Sequence, residues 1–319
     1  MGTSAEVTAR SPLAQLLQNI SRVIVGKEKE IRLIVTGLLS SGHVLMEDMP
    51  GVGKTVLVRA LATSIGGKST RIQFTPDLLP SDVTGLSVYN QKSGEFDFKP
   101  GPIFANLVLA DEINRANPRT QAALLEAMAE QQITADGVTR KLEAPFMVCA
   151  TQNPIEFQGT YPLPEAQLDR FLMRLSLGYP SMAEEMDIIN RQMLEHPLEK
   201  LGPVISTSQI AEMAAAVLRI TVKPALIKYV TALCSATRNH TDILIGASPR
   251  ASTGLVRCAQ AWAYISGRDF ATPDDVKEVA VPVMAHRIIL THQARFSKRT
   301  SEQIIRELLA SIAVPLAVA

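Results

Sequence analysis

The sequence predicts an α/β protein in which a parallel sheet with helices on both faces is followed by a smaller all-helical domain. Two observations support the sheet. Short apolar runs alternate with segments of helical periodicity, and each run ends in polar residues, as strands do at the carboxyl edge of a parallel sheet. A third observation supports the second domain, because the apolar segments beyond Pro180 all have helical spacing. The 319 residues are enough for two compact units.

The predicted domain boundaries follow from where this periodicity starts and changes. Residues 1–10 are rich in Ser, Thr, Ala and Gly without apolar periodicity, so we expect a loose tail. Residues 11–180 form the predicted αβα sheet domain, and residues 181–319 form the helical domain. The sheet domain begins with two predicted helices, at 12–23 and 28–40.

Three buried strands are predicted in the sheet domain, at 43–46, 104–110 and 146–151. The first strand leads into a Gly-rich loop at 48–55 and then a helix at 56–64. Beyond it, Gly94 and the pair Asp136-Gly137 predict two hairpins, at 87–102 and 132–145. Surface decoration is the alternative role for both hairpins.

Capping signals support the helices of the second domain. The helices are predicted at 184–195, 209–218, 224–237, 250–266 and 273–279. The signals are a Ser206/Gln209 capping box, Pro224 and Pro273 at first helical positions, Thr272 as a cap and Gly267 at a helix end. His286 and Trp262 are expected to pack inside this domain. A metal site at His286 is not expected, because no second metal ligand lies at a suitable spacing from it.

Charge and composition limit the function. The formal net charge is +1 and no basic run occurs, which argues against nucleic-acid binding. The three cysteines lack metal or redox spacing, and no apolar run approaches the ~20 residues of a membrane span. A cytoplasmic protein without direct membrane insertion is therefore expected, although a membrane partner stays compatible with the sequence.

The run Pro50-Gly51-Val52-Gly53-Lys54-Thr55 matches the end of the P-loop pattern between a strand and a helix. Glycines let backbone N–H groups turn towards phosphates, Lys54 supplies a positive charge, and the Thr55 hydroxyl suits Mg²⁺. Asp48 stands where the general pattern has Gly, and the role of an acid near phosphates is left open.

Polar residues follow the other two predicted strands. Asp111 and Glu112 form a Walker B pair, in which one carboxylate serves the magnesium shell and the other polarises the attacking water. Asn153 follows the third strand, where its amide could orient that water or contact the outermost phosphate. An Asn that merely favours the turn before Pro154 is the alternative.

Two arginines complete the candidate set. Arg170, in Leu168-Asp169-Arg170-Phe171, and Arg250, in Ser248-Pro249-Arg250, could each neutralise charge that develops on a transferred phosphate. Either residue could instead be a solvated helix residue or an ion-pair partner.

Four stretches, at 44–55, 109–115, 150–154 and 159–171, closely resemble the MoxR family of AAA+ ATPases, within the helix-2-insert clade. The likeness runs from about Val25 to Leu290. It implies a P-loop AAA+ domain with an α-helical lid, a catalytic set of Glu112, Asn153 (sensor 1), Arg170 (arginine finger) and Arg250 (sensor 2), and Mg²⁺ held by Thr55 and Asp111. The ATP-binding residues that it implies are Val25, Gly26, Asp48, Pro50, Gly51, Val52, Gly53, Lys54, Thr55 and Val56.

The resemblance also implies a function and partners. Members of the family are similar to ring-forming, chaperone-like ATPases that remodel or help mature other proteins, often partners with a von Willebrand factor A domain. We therefore expect ATP hydrolysis with Mg²⁺ in a ring, with six subunits as the expected number. The alternatives are a nucleic-acid-associated AAA+ motor, a motor subunit like that of magnesium chelatase, and a scaffold that holds nucleotide without turnover.

Overall fold

The computed structural model describes residues 4–152, 160–194 and 197–314. Its α-helices are α1 (Ser4–Ser21), α2 (Glu28–Leu39), α3 (Lys54–Ser64), α4 (Pro80–Thr84), α5 (Pro118–Glu130), α6 (Glu165–Leu168), α7 (Met182–Leu194), α8 (Thr207–Val217), α9 (Pro224–Arg238), α10 (Pro249–Ile265), α11 (Pro273–Met284), α12 (His292–Phe296) and α13 (Ser301–Ser311). Short 3₁₀ helices lie at Ile113–Arg115, Pro197–Lys200 and Ala285–Arg287. The strands are β1 (Val44–Glu47), β2 (Ser69–Gln73), β3 (Gly85–Asn90), β4 (Glu95–Pro100), β5 (Leu107–Asp111), β6 (Gln132–Ala135), β7 (Val138–Lys141), β8 (Met147–Gln152), β9 (Met173–Leu175), β10 (Ile243–Ile245) and β11 (Ile289–Leu290).

The main sheet has five strands in the order β2-β5-β8-β1-β9. The pairs β2–β5, β5–β8 and β1–β8 are parallel, and β1, β5 and β8 are almost entirely buried. Their registers align Gln73 with Asp111, Ala110 with Ala150, and Met46 with Thr151. The carboxyl ends of these strands therefore lie side by side, which confirms the predicted α/β class and the three predicted strands.

Strand β2 was missing from the prediction because its sequence, Ser-Thr-Arg-Ile-Gln, carries one apolar residue. Only Ile72 of this strand is buried, as befits the last strand at one side of the sheet. Polar edge strands of this kind lack the continuous apolar run by which the other strands were recognised.

The first helix differs from the prediction, because α1 begins at Ser4 and not near Ser11. Residues 4–10, which we expected in a loose tail, are helical. Ala5, Glu6, Ala9 and Arg10 are strong helix formers, and this propensity acts without the apolar periodicity on which the prediction rested. Pro12 consequently lies inside α1 and not in its first turn.

Both predicted hairpins are confirmed as two-stranded antiparallel sheets, β3–β4 and β6–β7. The Arg140 guanidinium lies 3.7 Å above the Phe98 ring, and the Ser87 hydroxyl donates a hydrogen bond to Asp136. The two hairpins therefore pack on each other.

The chain forms two compact units. The first comprises Met1–Ile31, His43–Pro164 and Ser176–Ala211, and the second comprises Arg32–Gly42, Glu165–Leu175 and Glu212–Ala319. The second unit therefore includes two short segments, 32–42 and 165–175, that lie within the predicted sheet domain, and the first unit includes residues 181–211 of the predicted helical domain.

The helices predicted beyond residue 180 are confirmed within about two residues at their starts, with their caps. The Thr272 hydroxyl accepts a hydrogen bond from the Asp275 N–H, the Ser206/Gln209 box forms, and Gly267 has a φ of +79°. Helix α11 continues to Met284, past its predicted end, with Pro282 inside it.

Burial is as expected for the cysteines and for Trp262. Cys149, Cys234 and Cys258 are buried free thiols, and burial raises the pKa of Cys149 and Cys258 to about 12. Trp262 is buried, with the Arg32 guanidinium 4.7 Å from its ring centre. Among the described helices, none combines the length and the apolar character needed to cross a lipid bilayer.

Candidate functional site

The Gly-rich loop joins the end of β1 to the start of α3. Gly51 and Gly53 have φ angles of +85° and +94°, in the left-handed region where a side chain would strain the backbone. Helix α3 begins at Lys54, directly after this turn. The first N–H groups of a helix have no acceptor within the helix, so this end of α3 has donors available for phosphate oxygens.

The loop keeps its candidate ligands accessible. Lys54, Thr55 and Val56 are partly exposed, as is Val52, while Pro50 is exposed. The Lys54 ammonium donates to the carbonyl oxygens of Asp48, at 2.9 Å, and Met49, at 3.4 Å. Its positive charge therefore lies along the loop that the glycines shape.

The side chain of Asp48 has a clear structural role. The residue is buried, and its carboxylate accepts three hydrogen bonds, from the Ser176 hydroxyl at 2.7 Å and from the N–H groups of Leu177 and Gly178 at 2.7 and 3.0 Å. These contacts tie the start of the loop to residues 176–178. Three donors occupy the carboxylate, which explains how an acid is accommodated beside a phosphate-binding loop.

Asp111 ends strand β5 and is held from two sides. Its Oδ1 accepts a hydrogen bond from the Thr151 hydroxyl at 2.6 Å, and its Oδ2 accepts one from Arg71 at 2.6 Å. Thr151 lies on β8 and Arg71 on β2, the two neighbours of β5 in the sheet. The parallel registers therefore fix this carboxylate at the carboxyl edge.

Glu112 follows with an unusual backbone, at φ +58° and ψ +48°. Its N–H donates to the Thr151 hydroxyl at 2.9 Å, so this one hydroxyl holds both adjacent acids. The Glu112 carboxylate accepts a hydrogen bond from the Gln73 amide at 2.8 Å and lies 3.3 Å from Arg115. The left-handed backbone turns Glu112 away from the strand direction that Asp111 follows.

The oxygen ligands at this edge suit a magnesium ion that binds together with a nucleotide. Among the described residues, no cluster of three or more His, Cys, Asp or Glu side chains could hold a metal alone. Mg²⁺ in nucleotide sites takes phosphate oxygens and waters together with one or two protein oxygens. The Thr55 hydroxyl and the Asp111 carboxylate supply ligands of that kind.

The predicted adenine-side contact, Val25-Gly26, lies in the turn before α2. Gly26 has a φ of +70°, and a Cβ built there would come within 1.7 Å of the Glu184 carboxylate. Glu184 lies in the first turn of α7 and accepts a hydrogen bond from the Ser181 N–H, which lowers its pKa. Only glycine fits beside this carboxylate unless Glu184 moves.

The candidate arginines belong to the second compact unit. Arg170 is partly buried just after α6, and Arg250 is exposed in the first turn of α10. Asp169 accepts hydrogen bonds from the buried Arg287 at 2.8 Å and, at a longer 3.3 Å, from the Ser248 hydroxyl. Burial lowers the pKa of Arg287, and the charge of Asp169 opposes that shift.

The structure thus gathers most of the predicted residues of the first unit at one edge of the sheet. Asn153 lies outside the described residues. Sequence reasoning missed a group of polar side chains that hold the acids and the arginine segment in place. They are Arg71, Gln73, Thr151, Asp169 and Arg287.

This fold and this edge define a nucleotide-binding AAA core, and comparisons with known proteins agree. The family model of the ATPase family associated with various cellular activities matches residues 43–173, and an AAA lid domain model matches residues 235–308. A crystal structure of a candidate ATPase from Cytophaga hutchinsonii superposes with a TM-score of 0.92 at 38% identity, covering 98% of this chain and 97% of that one.

Three relatives are similar over most of their length, and the names of two of them narrow the assignment. Chaperone MoxR1 of Mycobacterium tuberculosis is 42% identical, across 98% of this chain and 84% of its own length. Protein MoxR of Paracoccus denitrificans is 35% identical, across 85% and 87%. The uncharacterized protein YeaC of Bacillus subtilis is 49% identical, across 95% of both chains. The chain belongs to the MoxR family of AAA+ ATPases.

Proposed function

We propose that this ATPase hydrolyses ATP to ADP and phosphate with Mg²⁺ at the carboxyl edge of the main sheet. The observation that carries the proposal is the pairing of Asp111 and Glu112 through the single hydroxyl of Thr151, on the sheet that also carries the Gly-rich loop. Phosphoryl transfer depends on positioning and charge stabilisation more than on covalent chemistry. Two acids fixed at different orientations beside phosphate donors suit that requirement.

The residues divide the work by their chemistry. Lys54 and the first N–H groups of α3 hold the outer phosphates, and Thr55 with Asp111 holds Mg²⁺, which neutralises charge on the phosphates. Glu112 accepts a proton from the attacking water. Its hydrogen bond to Gln73 orients the carboxylate for this role.

Four further residues complete the proposed machinery. Asn153 orients the attacking water by its amide, and Val25 with Gly26 contacts the adenine side of the nucleotide. Arg250 binds phosphate from the same chain. Each of these roles rests on the family pattern, which the amide of Asn153 and the positive charge of Arg250 fit.

The hydrolysis proposal is tested with Glu112→Gln. The amide keeps the size of the side chain and loses the basic oxygen, so we expect ATP binding to persist while turnover falls below about a tenth of normal, a barrier increase above ~1.4 kcal/mol. Phosphate release measures turnover and calorimetry measures binding. Glu126→Gln, which changes an exposed acid of α5, is the matched control.

Normal turnover by Glu112→Gln would remove Glu112 from the proposed role. A loss of ATP binding together with turnover would mean that Glu112 belongs to the binding site and not to the chemical step. An equal loss of turnover in the Glu126→Gln control would mean that the loss of an acidic charge, and not the particular role of Glu112, lowers turnover.

A ring of subunits is the proposed working form, with Arg170 acting on ATP bound by the neighbouring subunit. In a head-to-tail ring each interface pairs one subunit's loop with another's finger. Mixing two inactive variants, Arg170→Ala and Lys54→Ala, should therefore restore part of the activity. No recovery in mixed rings that native mass spectrometry has verified would contradict action across the interface.

Remodelling or maturation of client proteins is the proposed use of the energy, since one relative at 42% identity is named a chaperone. Clients with a von Willebrand factor A domain are included in the proposal because the family pattern includes them. A Glu112→Gln ring held with ATP should retain its client. Mass spectrometry of the proteins retained with this variant, against those retained with Lys54→Ala, tests the proposal, and identical sets would contradict it.

A further inference from the structure

We propose that Arg287 is a positioning residue for Arg170, and that its ion pair with Asp169 joins the Arg170 segment to the helix end that carries Arg250. The inference rests on the proposed function, because it assigns a supporting residue to the proposed arginine finger. The residues involved all lie in the second compact unit.

The Arg287 guanidinium has an acceptor for each of its five N–H groups. Its Nε donates to Asp169 Oδ1 at 2.8 Å, and the two groups on Nη1 donate to the carbonyls of Leu172, at 3.1 Å, and Val283, at 2.7 Å. The two on Nη2 donate to the carbonyls of Asp169, at 3.3 Å, and Phe171, at 2.7 Å. The side chain is 3% exposed, so these bonds replace water completely.

Three of these acceptors are carbonyls that surround Arg170 in the chain. They belong to the residue before it, Asp169, and to the two residues after it, Phe171 and Leu172. His286 adds a second donor to the Phe171 carbonyl at 3.0 Å. These bonds therefore restrain the backbone on both sides of Arg170, and none of them involves the Arg170 side chain.

A carbonyl accepts hydrogen bonds, so Nε2 of His286 carries the proton in this contact. Burial, and after it the neighbouring charge of Arg287, lower the pKa of His286 from 6.5 to about 3. The imidazole ring of His286 is accordingly neutral near pH 7, and of the two neighbouring residues only Arg287 carries a positive charge.

The link to Arg250 runs through Asp169. The Ser248 hydroxyl lies 3.3 Å from Asp169 Oδ2, and Ser248 is also the N-cap of α10, where it accepts a hydrogen bond from the Ala251 N–H. Arg250 is the second residue of that helix. The ion pair between the buried Arg287 and the partly exposed Asp169 thus anchors the Arg170 segment and the start of the Arg250 helix at one point.

Lysine cannot replace arginine in this arrangement, because an ammonium has three donors and no planar fork. Arg287→Lys should lower kcat for ATP about tenfold or more, through misplacement of Arg170. KM for ATP should change less than about threefold, because only the longer 3.3 Å contact between Ser248 and Asp169 reaches the Arg250 helix. Asp169→Asn, which keeps the size of the carboxylate, should lower kcat in the same direction by a smaller factor.

The decisive measurement is a double-mutant cycle with Arg170→Ala. If Arg287 acts through Arg170, Arg287→Lys should add no further loss of kcat once Arg170 is absent, and Asp169→Asn should behave alike. Fully multiplied losses would overturn the inference, as would a normal kcat for Arg287→Lys. If Arg287→Lys does not fold, Asp169→Asn carries the same cycle.

Arg268→Lys is the matched control for structural damage. Arg268 lies in the same unit and forms an ion pair with the buried Asp275 at the start of α11. This variant should lower the thermal midpoint while kcat stays within about twofold. An equal loss of kcat from Arg268→Lys would mean that damage to any ion pair of this unit impairs turnover, which would overturn the inference.

The two proposals fail in different ways. Normal hydrolysis by Arg170→Ala would remove the finger assignment within the proposed function. A slow Arg170→Ala combined with multiplied losses in the cycle would leave the finger in place and remove only the role of Arg287.

Discussion

The carboxyl edge of the main sheet and the Arg170 segment hold their candidate residues in different ways. At the sheet edge, side chains from neighbouring strands contact the candidate carboxylates directly, as Thr151 and Arg71 contact Asp111. Around Arg170, the hydrogen bonds of Arg287 go to the backbone and to Asp169. The sheet edge fixes candidate side chains directly, whereas Arg287 fixes the backbone that carries the candidate side chain of Arg170.

Burial follows the same division. The Asp111 side chain is 15% exposed and its partner Arg71 is 55% exposed, whereas Arg287 is 3% exposed. Loss of an exposed contact costs little stability, and loss of a buried charged partner costs much more. Substitutions at the sheet edge should therefore change chemistry with small changes in stability, and substitutions of buried partners should change stability as well.

The largest effect expected at the sheet edge is that of Lys54→Ala. Removal of the ammonium leaves the outer phosphates without their principal counter-charge, so ATP affinity should fall about 100-fold or more. The thermal midpoint without nucleotide should change little, since the lost contacts are two partly buried bonds to loop carbonyls. Calorimetric titration and a thermal scan measure both.

Lys228→Ala, which removes an exposed ammonium from α9, is the control for general charge effects. Unchanged ATP affinity in Lys54→Ala would disprove the phosphate-loop assignment.

The next effect concerns the hydroxyl that joins the two acids. Thr151→Val keeps the side-chain shape and removes the donor to Asp111 and the acceptor for the Glu112 N–H. Turnover should fall roughly 10- to 100-fold, because both carboxylates lose their shared support. Thr151→Ser restores the hydroxyl and should recover most of the activity. Normal turnover by the Val variant would show that the hydroxyl of Thr151 is not needed to support the two carboxylates.

The same contrast explains how much the sequence revealed. Asp111 and Glu112 were predictable because a buried strand directly precedes them, and parallel strands end at one edge. Thr151 was recognised only as strand, since its role depends on the register of β5 against β8. Arg287 lies 118 positions from Asp169 and outside any motif, so no local pattern marks their contact. The first helix was placed too late because propensity, and not periodicity, forms its first turns.

Asp48 combines features of both regions. It lies at the sheet edge, but it is buried, and like Arg287 it hydrogen-bonds mainly to the backbone. Asp48→Asn keeps one carbonyl oxygen and replaces the other with a donor that faces N–H groups. We expect a loss of about 2–3 kcal/mol of unfolding free energy, measured by urea denaturation, from unmatched buried donors. Asp77→Asn, at an exposed acid, serves as the control. A wild-type midpoint for Asp48→Asn would contradict the anchoring role of these bonds.

The smallest expected effect is a pH dependence from a buried histidine of the first unit. His43 accepts a hydrogen bond from the Val148 N–H on Nδ1, at 3.0 Å, so its Nε2 carries the proton that the Met128 carbonyl accepts, also at 3.0 Å. The ring has no site for a second proton without loss of the Val148 bond. Burial accordingly lowers its pKa from 6.5 to about 4.

The sign of the effect follows from that shift. The unfolded chain binds a proton at about pH 6.5 and the folded chain only near pH 4, so the stability is complete above pH 6.5 and is lost as the pH falls towards 4. Between about pH 7 and pH 5.5 the loss from His43 should be about 1 kcal/mol.

His43→Asn should be less stable at pH 7 because a shorter side chain cannot make both bonds, yet its stability should fall less on acidification. His292→Asn, at an exposed histidine, should keep the wild-type slope. Urea denaturation at a series of pH values measures these slopes, and a His43→Asn slope as steep as that of wild type would show that other groups, and not His43, take up the protons.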